Sequence, residues 1–348
     1  MHGTGSIGGR QASTRRPHAC IVGTRPARPS PVSATPAPPE FADIQAAAKR
    51  IAGYAQRTPV ARSHSLDALA GAEMHFKCEN LQRVGAFKFR GACNAVWSLP
   101  ESVAARGVVT HSSGNHGAAL ALAARTRSIP AHVVVPEGAV AAKLAGILAY
   151  GAIVHRCAPT LAAREETAER LRQDSGATLV HPYTDPAVIA GQGTAALELL
   201  QETGPLDALI APVGGGGLIG GCAIATRALS PGTAVYAAEP MGAADAYESL
   251  RRGERVTELV PETICDGLRG LIGPINFELL RQYDVTVLPI DDSDTRAAMR
   301  LLWERLKLIV EPSSAIAFAA LLRHRERFAG RRVGIVLSGG NVDLDKFF

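Results

Sequence analysis

The chain of 348 residues is 47% hydrophobic and 20% charged, which is typical of a globular protein large enough for two lobes. Its formal net charge of +5 comes from the first 39 residues, which contain five arginines and no acidic residue. In the rest of the chain, 32 basic side chains balance 32 acidic ones, which argues against a nucleic-acid-binding face.

Neither the start of the chain nor its uncharged stretch predicts a targeting or membrane segment. Residues 1–39 are rich in Pro, Ser, Gly, Thr and Arg and predict a disordered tail; a transit peptide, the alternative, would show an amphipathic repeat. The uncharged residues 208–226 include Pro212 and six glycines, so they predict a loop before a helix. The six cysteines form no C-x-x-C pair, which favours free thiols and a cytoplasmic location.

Short apolar runs of β type alternate with Ala- and Leu-rich helical segments after the tail. The predicted strands are Met74–Cys78, Val108–Thr110, His132–Val135, Ile153–His155, Thr178–Val180, Ala208–Ala211, Ala234–Ala238 and Arg332–Leu337. The predicted helices are Asp43–Arg57, Asn115–Arg127, Val140–Tyr150, Leu161–Asp174, Ile189–Thr203, Asp294–Lys307 and Ser314–Phe328. This alternation indicates an α/β fold with parallel sheets covered on both faces. Residues 107–183 predict a small lobe inserted into a large lobe formed by 40–106 and 184–348.

Lys88 lies between Phe87 and Phe89, after the turn at Gly85 and at the start of an Ala-rich segment. Apolar surroundings disfavour the charged amine, so they lower its pKa and make it a nucleophile. Such an amine can form a Schiff base with an aldehyde cofactor. A lysine at a helix start is more often simply solvated, so this role depends on the other segments described below.

A turn of small and polar residues at 112–117 (SSGNHG) follows the predicted strand Val108–Thr110. Backbone N–H groups that point outward at a helix N-terminus bind anions, and this turn suits a carboxylate. Helix capping by Ser or Asn is the alternative, but two serines with Asn and His exceed what capping needs.

Four consecutive glycines, Gly214–Gly217, follow the predicted strand Ala208–Ala211 and precede Leu218. Glycines there let the backbone wrap closely round a phosphate, with a helix dipole behind it. A competing interpretation is a dinucleotide fingerprint, because Gly215, Gly217 and Gly220 satisfy G-x-G-x-x-G and Glu239 ends the next strand. That interpretation leaves Lys88 and the turn at 112–117 without a role.

The C-terminal segment 338–341 (SGGN) is a second strand-to-glycine turn, which alone would mean only a strand end. Together with Lys88, SSGNHG and GGGGL, it resembles the fold type II pyridoxal-phosphate (PLP) enzymes of the serine/threonine dehydratase and serine racemase family. The resemblance covers about 43–345 and includes the phrases at 181–182 (HP), 190–194 (AGQGT) and 309–312 (IVEP). It implies two parallel-sheet lobes like those of the tryptophan synthase β chain, with PLP in the cleft between them.

The resemblance also implies a role for individual residues. Lys88, beside Phe87, carries PLP; Gly214, Gly215, Gly216, Gly217 and Leu218 hold its phosphate; Asn115 meets its ring hydroxyl and Ser338 its ring nitrogen. A serine leaves that nitrogen largely neutral, which favours β-elimination over long-lived carbanion chemistry. The substrate carboxylate would lie against Ser112, Ser113, Gly114, Asn115 and His116.

The reaction that the resemblance implies is loss of water from a hydroxy-amino acid, with Lys88 as the base at Cα. L-Serine would give pyruvate and L-threonine 2-oxobutanoate, each with ammonia. Racemisation needs a proton donor on the opposite face of the substrate, where the racemases use the serine matching Ser113. Serine racemase is therefore the nearest alternative.

Two further contacts are expected in a racemase-like enzyme. Glu239, the carbonyl of Ala243 and Asp245 resemble a loop that binds Mg²⁺, or Mn²⁺ or Ca²⁺, although two solvated loop acids would fit the spacing alone. Arg164, on the predicted helix Leu161–Asp174, would reach a second substrate carboxylate, as in 3-hydroxyaspartate, if it faces the cleft. Otherwise it is an exposed i,i+4 partner on that helix.

Several differences from the family pattern help to choose among the members of the family. Only ten residues follow Ser338, so a C-terminal regulatory domain and isoleucine inhibition are not expected. Tyr183 stands where eukaryotic racemases have Asn, which favours a bacterial dehydratase. β-Replacement synthases carry Thr at the position of His116, and a non-catalytic binding protein would leave Lys88, Ser113 and Ser338 unexplained. We expect an amino-acid substrate, a homodimer, and neither nucleic-acid nor membrane binding.

Overall fold

The computed structural model describes residues 1–3, 36–138 and 141–347. The tail predicted at 1–39 lies outside the described residues, apart from 1–3 and 36–39. The described residues from 36 onward form one unit by their internal contacts, and every element below belongs to it.

Ten strands form two sheets in the described part of the chain. They are β1 (Val60–Ala61), β2 (Glu73–Cys78), β3 (Val108–Thr110), β4 (Ala131–Pro136), β5 (Ile153–Cys157), β6 (Thr178–Leu179), β7 (Ala208–Pro212), β8 (Ala234–Pro240), β9 (Thr286–Ile290) and β10 (Arg332–Leu337). The six-stranded sheet has the order β1-β2-β10-β7-β8-β9, and the four-stranded sheet has the order β5-β4-β3-β6. Every neighbouring pair is parallel except β1 with β2.

Helices connect these strands, as a parallel sheet requires. They are α1 (Phe41–Ile51), α2 (His64–Ala70), α3 (Lys88–Ser98), α4 (Glu101–Ala104), α5 (Asn115–Thr126), α6 (Ala141–Ala149), α7 (Leu161–Ser175), α8 (Pro186–Thr203), α9 (Gly217–Leu229), α10 (Asp245–Arg252), α11 (Pro274–Gln282), α12 (Asp292–Leu301), α13 (Pro312–Arg323) and α14 (Arg325–Phe328). None of those in the described ranges is long and apolar enough to cross a membrane. The prediction of an α/β fold with parallel sheets is confirmed.

The six-stranded sheet is buried on both faces. Leu209 and Val336 belong to a core cluster that includes residues of α8 and α9, whereas Ile210 and Ile335 belong to a second cluster with residues of α13. Alternate residues of one strand therefore face different apolar layers. This double burial explains why the strands read as almost continuous apolar runs.

The four-stranded sheet is built entirely from residues within 107–183. Val108 and Val133 pack in a cluster with residues of α5, whereas Val109 and Val134 pack with Ala168 of α7. The sheet thus has helices on both faces, as a βα run of this length favours. The division into a small and a large lobe at these boundaries remains a prediction.

A buried ion cluster anchors α3, the helix that begins at Lys88. Arg90 Nε contacts Glu79 Oε2 at 2.7 Å, and Arg90 Nη1 contacts Glu198 Oε1 at 2.7 Å. Lys77 Nζ adds a contact of 2.7 Å to Glu198. The side chains of Arg90, Glu79 and Lys77 have no exposed surface. Such a cluster is stable only when complete, because removing one partner leaves a buried unpaired charge that costs about 3–5 kcal/mol.

Candidate active site

The predicted site segments meet at the carboxyl edge of the six-stranded sheet. Lys88 follows β2, Ser338 follows β10, Gly214–Gly217 follow β7, and Glu239 lies near the end of β8. These four strands are consecutive neighbours in the sheet. Because neighbouring strands lie about 4.8 Å apart, β2 and β7 are separated by roughly 10 Å. The topology therefore places the lysine and the glycine loop on two sides of one small cleft.

The Lys88 amine is held away from bulk water. Its Nζ donates to the carbonyl oxygen of Pro182 at 2.9 Å and lies 5.1 Å from the centre of the Phe87 ring. Burial lowers the pKa of Lys88 to about 8, and the charge of Glu311 partly opposes this shift. A substantial fraction of the amine is therefore neutral near physiological pH, which is the nucleophilic form.

Backbone pairing ties the Lys88 loop to the end of β10. The Phe87 N–H donates to the Ser338 carbonyl oxygen at 2.9 Å, and the Gly340 N–H donates to the Gly85 carbonyl oxygen at 2.9 Å. The Ser338 hydroxyl is 3% exposed and donates to the Ser313 carbonyl oxygen at 3.3 Å. Ser338 thus lies beside the loop that carries the lysine, as its predicted role requires.

The Asn115 carboxamide is oriented from both ends. Its Nδ2 donates to Glu311 Oε1 at 3.0 Å, and its Oδ1 accepts from Asn341 Nδ2 at 3.0 Å. Asn341 Nδ2 also donates to the carbonyl oxygen of Val84 at 2.7 Å. The sequence predicted no role for Glu311 or Asn341, although they lie in the segments 309–312 and 338–341, which carry the resemblance.

The turn before α5 does not use its serines as caps. The helix begins after Gly114, and within the described chain no side chain caps it. The Ser112 hydroxyl accepts a long bond of 3.5 Å from the Gly114 N–H, and Ser113 is half-buried. The first-turn N–H groups are therefore not used by a capping side chain, which favours the carboxylate-binding interpretation over capping.

Tyr183 and Leu268 pack closely against the glycine loop. Gly216 has φ +91°, a conformation that L side chains rarely adopt, and it immediately precedes α9. A Cβ on Gly215 would overlap the Tyr183 ring, and one on Gly214 would lie 2.9 Å from Cα of Leu268. Leu218 is 4% exposed in the first turn of α9. A close-fitting backbone at a helix N-terminus fits the phosphate of PLP, so the residues present suit this cofactor.

His116 and His181 lie close enough to Lys88 for its charge to affect their pKa values, and the ring of His111 contacts that of His181. The sequence predicted a role only for His116, included His181 only within the phrase at 181–182, and did not indicate His111. Burial, and then the charge of Lys88, lower the pKa of His116 well below its ordinary value. Burial, followed by His111 and Lys88, lowers the pKa of His181 to about 3. The His181 Nδ1 accepts a bond of 3.3 Å from the Tyr183 N–H, so its proton is on Nε2. Burial also lowers the pKa of His111. All three rings are therefore neutral donors or acceptors at pH 7.

Arg164 lies in the first turn of α7, where its Nε donates to the Thr160 carbonyl oxygen at 3.4 Å. It is half-buried. Burial is the main cause that lowers the pKa of His111, and the charge of Arg164 is the next. The same charge counteracts the rise in the Tyr183 pKa that burial causes. The guanidinium therefore acts electrostatically on residues beside the cleft, which favours the cleft-facing interpretation.

Glu239 and Asp245 form a buried acidic pair, 0% and 2% exposed, and Ala243 between them is 1% exposed. The Glu239 oxygens accept from the N–H groups of Ala246 and Tyr247, both at 2.8 Å, and Asp245 Oδ2 accepts from Ile272 N–H at 2.7 Å. Burial raises the pKa of Glu239 to about 8 and that of Asp245 to about 6.

A divalent cation would stabilise the charged forms of this pair, so the oxygen donors fit the predicted metal. The set falls short of three acidic, His or Cys side chains, and the described residues contain no such cluster anywhere. The third predicted ligand is the Ala243 carbonyl, which would complete the set.

Comparisons with known proteins agree with this geometry. The family described as "Pyridoxal-phosphate dependent enzyme" matches residues 51–339. The chain is 48% identical over 306 residues to a serine racemase of Dictyostelium discoideum, a match that covers 87% of this chain and 94% of the relative. It is 44% identical over 308 residues to a beta-hydroxyaspartate dehydratase of Paracoccus denitrificans, covering 88% and 98%. The crystal structure of a T.th. threonine deaminase superposes with a TM-score of 0.83 at 43% identity, covering 88% and 99%.

These matches decide between the two interpretations of the glycine loop. A dinucleotide site would leave Lys88 and the turn at 112–117 without a role. The family match spans Lys88, the turn at 112–117 and the glycine loop together. The dinucleotide interpretation is therefore wrong, and the chain belongs to the family of pyridoxal-phosphate dependent enzymes.

Proposed function

We propose that this protein is an ammonia-lyase that removes water from a hydroxy-amino acid and yields a 2-oxo acid and ammonia. The candidate substrates are L-serine, L-threonine and 3-hydroxyaspartate. The observation that carries the proposal is the desolvated Lys88 amine, hydrogen-bonded to Pro182, whose neighbour Tyr183 packs against a glycine loop that fits a phosphate. The names of the relatives, a serine racemase, a beta-hydroxyaspartate dehydratase and a threonine deaminase, support this substrate class.

The residues of the cleft divide the binding of the cofactor between them. Lys88 holds the aldehyde end beside Phe87, Gly214–Gly217 and Leu218 hold the phosphate, and Ser338 and Asn115 hold the ring. When bound, PLP supplies the electron sink for the bond that breaks at Cα. The Ser338 hydroxyl, unlike a carboxylate, does not keep the ring nitrogen protonated, which favours elimination.

The substrate is bound from the small-sheet side of the cleft. The N-terminal N–H groups of α5, with Ser112, Ser113, Gly114, Asn115 and His116, bind its carboxylate. Lys88 Nζ accepts the Cα proton on one face, and its lowered pKa keeps it available as a base near pH 8. Ser113 Oγ lies in the turn that would face the other side, so it can return a proton there. Serine racemase is for this reason the second candidate function.

A product assay tests the proposal. Purified holoenzyme is incubated with L- and D-serine, L-threonine and 3-hydroxyaspartate, and 2-oxo acid, ammonia and the opposite enantiomer are measured. Release of 2-oxo acid with equimolar ammonia supports the lyase, whereas formation of D-serine without it supports the racemase. A protein that produces none of these would contradict both.

We also propose that the protein is a cytoplasmic homodimer. The five described cysteines are free and buried, and free thiols are typical of a reducing compartment. Leu81 and Ile309 are 46% and 50% exposed, and the side chain of Asn80 bonds the Ile309 carbonyl, so the two chain segments meet at the surface. We propose that a second copy of the chain covers these apolar side chains.

The charge state of Lys88 sets the pH dependence of cofactor capture. Because the neutral amine reacts, the rate at which the apoenzyme binds PLP should rise with pH, with a midpoint near 8. Stopped-flow measurement of the visible absorbance of the lysine-linked cofactor gives this profile. In Glu311→Gln the midpoint should move to lower pH, since the charge of Glu311 raises the pKa of Lys88. A wild-type midpoint near the ordinary lysine value of about 10 would contradict the desolvated amine.

Ser113→Ala should abolish racemisation while most of the elimination remains. Loss of a positioned proton donor typically costs about 10²–10⁴ in rate, and only the racemase needs a donor on that face. D-Serine and pyruvate formed from L-serine are measured in parallel. Ser112→Ala, in the same turn, is the matched control and should reduce both products together. Racemisation that survives in Ser113→Ala would refute the assigned role.

Arg164→Ala should discriminate between substrates with one and two carboxylates. A charge-assisted bond to the distal carboxylate is worth about 1.5–3 kcal/mol, so kcat/KM for 3-hydroxyaspartate should fall roughly ten- to hundredfold. The value for L-serine should change little. Arg170→Ala, an exposed residue of the same helix, is the control. Equal losses on both substrates would remove Arg164 from the substrate site.

We propose a metal site at Glu239, the Ala243 carbonyl and Asp245, for Mg²⁺ or alternatively Mn²⁺ or Ca²⁺. Magnesium at about 100 times its Kd should stabilise the wild type by about 2.7 kcal/mol, which raises Tm by several degrees. Glu239→Gln should lose this gain, whereas Glu262→Gln, an exposed neighbour, should keep it. Differential scanning fluorimetry with and without the ion measures both. An unchanged gain in Glu239→Gln would exclude the site.

A further inference from the structure

Asn276 is a buried polar residue that belongs to none of the recognised motifs. It lies in the first turn of α11 and is 0% exposed. Its Nδ2 donates to the Tyr183 carbonyl oxygen at 2.8 Å and to the Gly215 carbonyl oxygen at 2.6 Å. One carboxamide therefore bonds two chain segments that are far apart in sequence.

The orientation of this carboxamide is fixed by its partners. Both partners are carbonyl oxygens, which only accept, so the amide nitrogen must face them. Its Oδ1 is buried and has no hydrogen-bond partner within the described residues. An orphaned buried acceptor is unfavourable, typically by about 1–3 kcal/mol. The unpaired Oδ1 thus destabilises the fold at Asn276, and the two hydrogen bonds that Nδ2 donates are the favourable interactions of this side chain.

The two segments bonded by Asn276 belong to opposite ends of the candidate cofactor site. Tyr183 follows Pro182, whose carbonyl oxygen accepts the Lys88 amine at 2.9 Å. Gly215 belongs to the glycine loop, and its carbonyl oxygen also accepts the Gly273 N–H at 3.1 Å. The side chain therefore connects the segment that positions the lysine with the loop that faces the phosphate.

The bond to Gly215 also sets the direction of a backbone donor. In a trans peptide unit, the C=O of one residue and the N–H of the next point in opposite directions. Because the Gly215 carbonyl points at Asn276, the Gly216 N–H points away from α11. Only glycine at 216 permits this approach, since a Cβ there would lie 2.6 Å from Cβ of Asn276.

We infer that Asn276 is a positioning residue that orients the Gly215–Gly216 peptide so that its N–H faces the phosphate of PLP. It touches neither the substrate nor the reacting atoms. The inference rests on the proposed function, because it requires the phosphate to bind at the glycine loop. It predicts that Asn276 contributes more to the binding of the phosphate end of the cofactor than to that of its aldehyde end.

Comparison of PLP with pyridoxal, which lacks the phosphate, separates these two ends. Apoenzyme is titrated with each aldehyde, and binding is followed by the visible absorbance of the lysine-linked species. Asn276→Ala should weaken PLP binding on the order of tenfold more than it weakens pyridoxal binding. Asn276→Asp, which keeps the shape but places carboxylate oxygens against two carbonyls, should weaken PLP binding further. Inorganic phosphate should compete with PLP less effectively in both variants.

Asn94→Ala is the matched control. Asn94 is 2% exposed, and its Nδ2 donates to the Ala187 carbonyl oxygen at 2.8 Å, so the variant loses a similar buried bond away from the glycine loop. It should lower thermal stability without changing the ratio of PLP to pyridoxal affinity. A shift in that ratio in Asn276→Asp, with Asn94→Ala unchanged, supports the inference even if Asn276→Ala does not fold.

Two outcomes would overturn the inference, and they differ from a failure of the proposed function. Equal losses of PLP and pyridoxal affinity would show that Asn276 acts through the general fold, and an unchanged ratio in both variants would show no effect on the phosphate. In either case the wild type still captures both aldehydes. A wild type that captures neither would instead reject the proposed function, and the inference with it.

Discussion

Removal of the Lys88 amine from water is the constraint on which the candidate site depends. Burial holds its pKa near 8, and the hydrogen bond to the Pro182 carbonyl fixes where the nitrogen lies. The neighbouring rings of His116 and His181 are neutral for the same reason, because the same apolar enclosure lowers their pKa values. A charged side chain among them would need solvent, and solvent would return the lysine to its protonated form.

The glycine loop shows how one sequence pattern satisfies two requirements. Residues 214–217 suggest a backbone that approaches a phosphate, but the structure adds a second reason for the missing side chains. Tyr183 and Leu268 press on the loop from behind, and neither leaves room for a Cβ on the glycine that it contacts. The donors of the loop are therefore held from the protein side before any ligand contacts them. Such preorganisation reduces the ordering cost of binding.

The parallel strands and the site motifs that follow them were predictable because both depend on local sequence. Val108–Thr110 and Arg332–Leu337 were predicted with the bounds that the structure shows, whereas β9 was missed because Pro289 interrupts it. Proline is tolerated there since β9 is an edge strand. Lys88 and the glycines were found through motifs, but Asn276 lies 61 residues from Gly215 and carries no pattern. Its contacts arise only when α11 packs on the loop, which local sequence does not specify.

The ion cluster around Arg90 has a consequence for the electric field at the cleft. Two positive side chains, Arg90 and Lys77, are matched by two negative ones, Glu79 and Glu198. Arg90 lies two positions beyond Lys88, yet the causes that shift the pKa of that lysine are burial and Glu311. Opposite charges in contact act at a distance only as weak dipoles, so their fields largely cancel. The cluster thus fixes the helix in place without contributing to the shift of the Lys88 pKa.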